Sequence, residues 1–209
     1  MDHLLLGNVL FRGGRRDEAI ASYKKAIALD PKLSMAHYNL GTALLENKDC
    51  LQEAIASFRN AIACAHRAIE LNPGDGGSRN GLAWFLVTCP YVPLRDPAEG
   101  LKQAQKAVEL APTYGLIRNT LGVAQYRAGN WHKAVAALEK SMQLQGGGDS
   151  YDWFFLTMAH WQLGEKDKAR QWFDRAVRGM HKHFPKAKEE LGRFRAEAAE
   201  LLRVEPKKD

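Results

Sequence analysis

The sequence predicts an all-α protein: a right-handed superhelical solenoid of about five antiparallel helix pairs, closed by a C-terminal capping helix. The first observation behind this prediction is a short pattern that recurs five times along the 209 residues, at a period typical of stacked repeats. The second is composition, because Ala, Leu, Lys, Glu and Arg are plentiful and runs of β-branched residues are scarce. Such a composition favours helix throughout the chain.

The pattern is clearest between Thr113 and Val177, where it occurs twice. A leucine followed by a small residue marks the first helix of each copy, as in Leu121 with Gly122, and the matching Thr157 lies 35 positions after Gly122. One repeat cannot bury its own apolar face, and stacking on its neighbours solves this. Function must therefore be sought on the surface of an array and not in a single pocket.

We place the repeats at residues 1–33, 34–74, 75–113, 114–148 and 149–182, and a capping helix at 186–203, all in one domain that spans 1–209. Repeat 1 begins abruptly, because its Leu6 and Gly7 fall almost at the N-terminal Met. This suggests a fragment of a longer array, or a start inside one, with an apolar end exposed. Self-association through that end is one hypothesis.

The second helix of repeat 2 is longer than the pattern needs. Apolar positions continue from Glu53 to Leu71, before Asn72 and Pro73 end the helix. Seven extra residues are close to two helical turns, so we predict one long helix with a continuous apolar face. A separate short helix is the alternative.

Repeat 3 contains two segments that invite a functional interpretation. The glycine-rich turn at 72–77 is not a phosphate loop, because no Gly-Lys-Ser/Thr follows it. Residues 89–97 are a proline-rich segment, about five residues longer than the plain repeat needs. Its role stays open between binding and a tolerated insertion. Asp96, Pro97 and Glu99 then predict an N-cap, a first helical residue and a capping box.

Repeats 4 and 5 are separated by the glycines at 146–148, after which Asp149 or Ser150 caps the next helix. The segment from 186 to 203 is amphipathic, and a terminal helix with a polar outer side is what closes the core of an array. Residues 204–209 are expected to fray. The apolar stripe of the terminal helix consists of Leu191, Phe194, Ala198, Leu201 and Leu202.

The net charge of +6 is concentrated towards the end of the chain, where residues 165–209 hold 13 Lys and Arg against 9 Asp and Glu. A mild basic excess attracts acidic peptides or nucleic acid. No basic run is interleaved with stacking aromatics, so nucleic acid is not an expected partner. No apolar stretch approaches the ~20 residues that span a bilayer, and no membrane partner is expected.

Cys50, Cys64 and Cys89 are odd in number and form no Cys-x-x-Cys pair, so neither a disulfide framework nor a zinc ribbon is indicated. Three thiols suit a reducing compartment. The N-terminal residues do not form a secretory signal, because Asp2 and His3 precede only a short apolar run. We therefore expect a cytoplasmic protein.

The repeated pattern resembles the tetratricopeptide repeat (TPR), a helix pair of about 34 residues. The matching residues of repeat 1 are Leu6, Gly7, Gly14, Ala19, Tyr23, Ala26 and Pro31. The segment from Leu82 to Leu202 also looks like bacterial arrays that are commonly attached to the C-terminal end of serine/threonine kinases and other signalling chains. No kinase motif is present here, so the chain would be an attached module or a free-standing relative.

The resemblance implies a concave groove, lined by the first helix of each repeat, that binds a peptide or a partner helix. Aromatic side chains and arginines dominate binding hot spots, and the arginines, Arg127 among them, would select acidic ligands. For Trp84 and Phe154 a place in the core is an equal alternative. The predicted groove residues are Asn8, Arg12, Tyr38, Thr42, Asn80, Trp84, Asn119, Tyr126, Arg127, Phe154, Met158 and Trp161.

The best-known ligand of the family, a chaperone C-terminus held by a two-carboxylate clamp, is not expected here. Asn8 and Asn39 match the two amide positions of the clamp, but its basic positions fall on Leu4, Asn80 and Trp84, which cannot hold a carboxylate well.

No catalytic set, cofactor motif or metal site is predicted, and the histidines at 181 and 183 are expected to be solvated. The first hypothesis is a non-enzymatic adaptor or scaffold that binds an acidic protein segment. The second is a structural or self-associating spacer, or the regulatory part of a larger kinase-type signalling chain.

Overall fold

The computed structural model describes residues 2–45, 47–183 and 188–203. These residues form α-helices and two short 3₁₀ turns, at Lys48–Cys50 and Val92–Leu94, and contain no strand. The all-α fold class is therefore confirmed. The helices are α1 (His3–Arg12), α2 (Arg16–Leu29), α3 (Ser34–Leu45), α4 (Leu51–Leu71), α5 (Gly76–Thr88), α6 (Pro97–Leu110), α7 (Gly115–Arg127), α8 (Trp131–Gln145), α9 (Ser150–Gln162), α10 (Lys166–His183) and α11 (Lys188–Leu202).

The described helices alternate as the first and second members of five pairs, and α11 follows the last pair. The bounds of the repeats stay predictions. The helices fall into two compact units, an N-terminal unit (Met1–Gln103) and a C-terminal unit (Ala104–Asp209). That the whole chain is one domain stays a prediction. Among the described helices, none combines the length and the apolar character that crossing a bilayer requires.

The glycines of the repeated pattern lie where the two helices of one repeat touch. A Cβ built on Gly7 would lie 2.5 Å from a ring carbon of Tyr23, and one on Gly122 would lie 2.5 Å from the Leu138 side chain. Such distances leave no room for a side chain. At the glycines that follow the leucine of the pattern, these contacts join Gly7 to Tyr23, Gly41 to Phe58 and Gly122 to Leu138.

The long second helix of repeat 2 is confirmed, since α4 runs without a break over 21 residues. The alternative of a separate short helix is wrong. Ala54, Phe58, Ala61 and Ala65 are buried along α4, so its extra turns continue the same apolar face.

The insertion at 89–97 packs on its own unit. Tyr91 and Leu94 lie against the hydrophobic cluster of the N-terminal unit, and Cys89 belongs to that cluster. The guanidinium of Arg95 donates to the Cys89 carbonyl over 2.8 Å. The insertion is therefore anchored by its ends, and Val92 is its exposed apolar residue.

Asp96 caps α6 as predicted, because its carboxylate accepts the Glu99 N–H at 3.0 Å. The reciprocal half of the predicted capping box is wrong. The Asp96 N–H donates to the Leu86 carbonyl over 3.0 Å, and the Glu99 carboxylate accepts from the Gln103 amide at 2.7 Å. The chain entering α6 is thus tied to α5.

Of the two predicted caps of α9, the structure uses Asp149. Asp149 accepts the Tyr151 N–H at 2.8 Å, and Asp152 accepts the Asp149 N–H at 3.2 Å, which completes a capping box. Ser150 instead donates to the Ala176 carbonyl over 3.0 Å. Burial raises the pKa of Asp149 and of Asp152 above the usual range for aspartate.

The amphipathic terminal helix is confirmed as α11, and Leu191, Phe194, Ala198 and Leu202 of its predicted stripe are buried. The predicted start at 186, the expected fraying of 204–209 and the side chains of His181 and His183 lie outside the described residues. Among the described residues, Cys50, Cys64 and Cys89 form no disulfide bond, and no group of His, Cys, Asp and Glu side chains has the geometry of a metal site.

Candidate peptide-binding site

The first helices of the N-terminal unit are α1, α3 and α5, and their amides are used within the fold. The side-chain oxygen of Asn8 accepts from the Tyr23 hydroxyl at 3.0 Å and from the Asn39 amide at 2.7 Å. The two amides that match the clamp positions therefore bind each other.

Tyr38 is a core residue in the structure. Its ring stacks on Phe85 at 4.5 Å between centroids, and its hydroxyl lies 3.1 Å from the Thr88 hydroxyl. The side chain is buried, so Tyr38 does not face a ligand, and its predicted place in an open groove is corrected.

Four predicted groove residues of the N-terminal unit do reach the surface. Arg12 is exposed, and Thr42, Asn80 and Trp84 are half-buried. The Thr42 hydroxyl donates to the Tyr38 carbonyl over 3.1 Å, and Trp84 packs on the hydrophobic cluster. Part of the Trp84 side chain is thus in the core and part is accessible. The sequence had left both a groove position and a core position open for this residue.

In the C-terminal unit, three predicted groove residues of α7 and α9 are core. Asn119 donates its amide to the Asp152 carboxylate over 2.9 Å, and this hydrogen bond is buried. Phe154 and Met158 are completely buried, and the Phe154 ring meets the edge of Phe173 at 6.2 Å. The alternative that Phe154 is core is correct, and these three side chains do not face a ligand.

Arg127, at the end of α7, is the most constrained of the predicted residues. Its guanidinium binds both oxygens of Glu197 in α11, with Nη2 and Oε2 2.7 Å apart. It also lies over the rings of Phe155, at 5.4 Å, and Tyr126, at 5.6 Å. The Arg127 charge is already partnered, so an acidic ligand would reach it only in place of Glu197.

Tyr126 and Trp161 meet in a cleft at the ends of α7 and α9, which we call the Tyr126–Trp161 cleft. The cleft has a volume of about 900 Å³, within the size range of ligand pockets. Its lining also includes the start of α10 and the end of α11. The lining residues are Tyr126, Trp161, Lys166, Arg170, Glu197, Glu200, Leu201, Leu202 and Arg203.

The chemistry of the cleft is aromatic with a basic rim. The ammonium of Lys166 lies 4.8 Å from the centre of the Trp161 ring, a cation–π geometry. Burial, followed by the nearby Glu197 charge, raises the pKa of Tyr126. The Tyr126 phenol is therefore protonated at neutral pH, and its hydroxyl is able to donate a hydrogen bond.

Sequence reasoning missed the part that α11 plays. Its stripe was visible, but the expected role was to close the end of the array. In the structure, Phe194 packs against Phe155 at 4.9 Å, and Glu197 reaches Arg127. No sequence signal joins Glu197 to Arg127, because the two residues are 70 positions apart.

The paired helices, the glycine contacts and the accessible first-helix residues define a helical-repeat protein. Residues 7–48 match a family model described as TPR repeat, and residues 153–178 match a model described as tetratricopeptide repeat. The chain therefore carries tetratricopeptide repeats at residues 7–48 and 153–178. No curated protein matches the sequence.

Solved structures share this fold. TTC0263, a thermophilic TPR protein of Thermus thermophilus, is 20% identical with a TM-score of 0.66, covering 97% of this chain and 98% of its own. MamA from Desulfovibrio magneticus RS-1 (residue 41 to the end) is 15% identical with a TM-score of 0.52, covering 87% and 95%. YrrB, described as a TPR protein with an unusual peptide-binding site, is 20% identical with a TM-score of 0.50, covering 88% of each chain.

Proposed function

We propose that this protein is a non-enzymatic adaptor or scaffold that binds an acidic segment of a partner protein in the Tyr126–Trp161 cleft. TPR proteins are in general protein–protein interaction modules. The observation that carries the proposal is the meeting of two predicted aromatic residues with three cationic side chains in one open cleft. The accessible residues Arg12, Thr42 and Trp84 form a second candidate contact surface, on the N-terminal unit.

The charge of the cleft supports an acidic partner. Lys166, Arg170 and Arg203 contribute three positive charges to the lining. Of the two glutamates in the lining, Glu197 is neutralised by Arg127, which leaves Glu200 as the counter-charge. A positive excess around a cleft attracts acidic ligands and discriminates against basic ones.

The aromatic rings of Tyr126 and Trp161 supply the apolar contacts of the cleft. Trp and Tyr are enriched among hot-spot residues, because each buries a large rigid surface. Trp161 is half-buried, so part of its ring is available to a ligand. We therefore expect the partner segment to carry an apolar or aromatic residue close to its acidic ones.

The proposal is tested with an array of acidic peptides that each carry one aromatic residue, probed with the full chain. In a Lys166→Glu/Arg170→Glu variant, the affinity for bound peptides should fall at least about tenfold, because two attractive charges become repulsive. The matched control is Lys133→Glu/Lys140→Glu, which makes the same charge change on exposed positions of α8. Equal loss in both variants would mean that net charge, and not the cleft, governs binding.

A Trp161→Ala variant tests the aromatic part separately. Circular dichroism first establishes that the variant is folded, and binding of the same peptides should then weaken. If wild-type protein binds no acidic peptide, or if Trp161→Ala binds as well as wild type, the cleft is not the binding site.

One observation favours the second function, a self-associating spacer. Val9 is 68% exposed and Leu5, one turn earlier on α1, is 61% exposed. The residues at the Val9 position of the other first helices are at most 1% exposed, so this position is normally covered. They are Ala43, Phe85, Ala124 and Ala159.

For the spacer function, we propose that a second copy of the chain packs on the α1 surface formed by Leu5 and Val9. Light scattering over a range of concentrations decides the point. A concentration-dependent dimer that Val9→Glu abolishes supports the spacer function. A monomer at every concentration rules it out.

A further inference from the structure

We infer that α11 is a built-in occupant of the surface formed by α7 and α9, and that the partner fitted to this surface is an acidic amphipathic helix that replaces α11. This inference rests on the proposed function, since it names the conformation and the entry mechanism of the acidic partner. We call this surface the α11-binding surface; it consists of Tyr126, Arg127, Tyr151, Phe155 and Trp161.

The position of α11 follows from the reach of its side chains. Helices α7 and α9 are direct neighbours, with the Tyr126 and Phe155 rings 5.7 Å apart. Helix α11 packs mainly on α9, where Phe194 contacts Tyr151 and Phe155. Its Glu197 side chain extends beyond α9 to the guanidinium of Arg127 in α7. Helix α11 therefore contacts residues of both α7 and α9.

The contacts of α11 have the form of a helix bound in a groove. Phe194 is buried, with its ring 4.9 Å from Phe155 and 6.1 Å from Tyr151. Polar contacts flank this apolar centre: Glu190 accepts from the Tyr151 hydroxyl at 3.0 Å, and Glu197 binds Arg127. An apolar anchor between spaced polar contacts is how amphipathic helices are recognised in grooves.

The same contacts specify the partner. A competing helix would place an aromatic or large aliphatic residue at the Phe194 position and a glutamate three residues later, opposite Arg127. A second acid four residues earlier would take the place of Glu190. Lys166 and Arg170 at the cleft would add attraction for acids beyond the end of such a helix.

Replacement of α11 leaves the helix pairs in place, because α11 is a short helix that follows the last pair. Its 15 residues are close to the length at which an isolated helix is marginal in water, so its helical form depends on docking. Glu197 is 34% exposed against 11% for Arg127, so water and a competing carboxylate have access to the ion pair. The Tyr126–Trp161 cleft adjoins this pair and provides an open edge at which a partner begins to bind.

The experiment uses the full chain and a fluorescent synthetic peptide with the sequence of residues 188–203. Three proteins are compared: wild type, Glu197→Arg, and the charge swap Arg127→Glu/Glu197→Arg. Peptide affinity is measured by anisotropy, and docking of α11 by amide hydrogen exchange within residues 188–203. The matched control is Glu139→Arg, which makes the same charge change at an exposed position of α8.

In Glu197→Arg we expect faster exchange in α11 and peptide binding about tenfold tighter than in wild type, because two positive charges then face each other at the ion pair. The charge swap should restore slow exchange, and Glu139→Arg should behave as wild type. Unchanged exchange in Glu197→Arg would overturn the inference, as would faster exchange without tighter peptide binding. If Glu197→Arg does not fold, Phe194→Ala replaces it, with the same expectations.

The outcome is separable from that of the proposed function. Release of α11 and binding of the 188–203 peptide are measured without any natural partner. If both occur while the array of acidic peptides shows no ligand, the inference stands and the proposed function fails. If array peptides bind wild type and Glu197→Arg equally well, the proposed function stands and the inference fails.

Discussion

The first helices of the two units carry the same repeat pattern but present different surfaces. In the N-terminal unit, Asn8 and Asn39 bind each other, and Arg12 extends into solvent. In the C-terminal unit, Phe155 is buried beneath Phe194 of α11. The difference shows that a repeat pattern specifies how helices pair, while the accessibility of a first-helix side chain depends on what lies over it.

The two arginines of the predicted groove illustrate this difference. Arg12 and Arg127 end the first helices of repeats 1 and 4. Arg12 is exposed, whereas Arg127 is held by Glu197 and two aromatic rings. One is available to a ligand at once, and the other only after α11 moves.

The largest effect is expected from removing the aromatic centre of each unit. Phe155→Ala and Phe85→Ala each delete a buried ring, which costs about 3–5 kcal/mol of unfolding free energy. Only Phe155→Ala should also speed amide exchange in α11, because Phe194 packs on Phe155. Urea unfolding measures the loss of stability, and hydrogen exchange measures the docking of α11. Faster α11 exchange in Phe85→Ala would contradict the expectation that, of the two rings, only Phe155 holds α11.

The next largest difference between the units is expected from replacing Arg127 and Arg12, measured as the loss of unfolding free energy. Arg127→Ala leaves Glu197 without its ion pair and should cost about 1–3 kcal/mol. Arg12→Ala, at an exposed position, should change the unfolding free energy by no more than about 0.5 kcal/mol. Urea midpoints of the two variants provide the measurement, and equal values would show that the Arg127 pair adds nothing to stability.

A smaller difference between the units is expected for the two asparagine contacts. Asn119→Ala removes a buried donor from the Asp152 carboxylate and should destabilise by about 1–3 kcal/mol. Asn39→Ala removes the half-buried hydrogen bond to Asn8. Because the Asn8 oxygen still accepts from the Tyr23 hydroxyl, we expect a loss of about 1 kcal/mol of unfolding free energy. Thermal unfolding of the pair checks the order, and a larger loss in Asn39→Ala would contradict it.

The smallest effect concerns the pH dependence of the C-terminal unit. Burial raises the pKa of Asp152 in the folded state above its unfolded value, which is about 4. At pH values between these two pKa values, the folded state binds more protons than the unfolded state. Stability therefore falls as pH rises through this window. The unfolding free energy of wild type should decline with pH relative to that of Asp152→Asn, in which this group cannot titrate. A constant difference between the two proteins would exclude the effect.

Several parts of the fold were predictable because they depend on local chemistry. The continuous α4 follows from an unbroken apolar period, and the Asp149 cap from a side chain that reaches backbone N–H groups a few residues away. The close contact of Gly122 with Leu138 follows from the repeat pattern. The predicted capping box at Glu99 was wrong, because the Asp96 N–H donates to the Leu86 carbonyl of the preceding helix.

The candidate site was predictable only in part. The sequence indicated which side chains leave the packing stripe of the first helices, and Tyr126 and Trp161 do line an open cleft. Tyr38, Phe154 and Met158 are buried, because helical position within one repeat does not reveal which neighbour covers that position. The basic residues at the start of α10 were visible as charge, but not as part of a cleft.

By itself the sequence determined the helix pairs, their caps and the close approach of the two helices within a repeat, since these depend on residues within a few turns or one repeat length of each other. Only the tertiary structure decided where α11 docks and whether Arg127 is available. That contact joins residues 70 positions apart. An amphipathic helix is compatible with any apolar surface of suitable shape, so its own pattern does not select one.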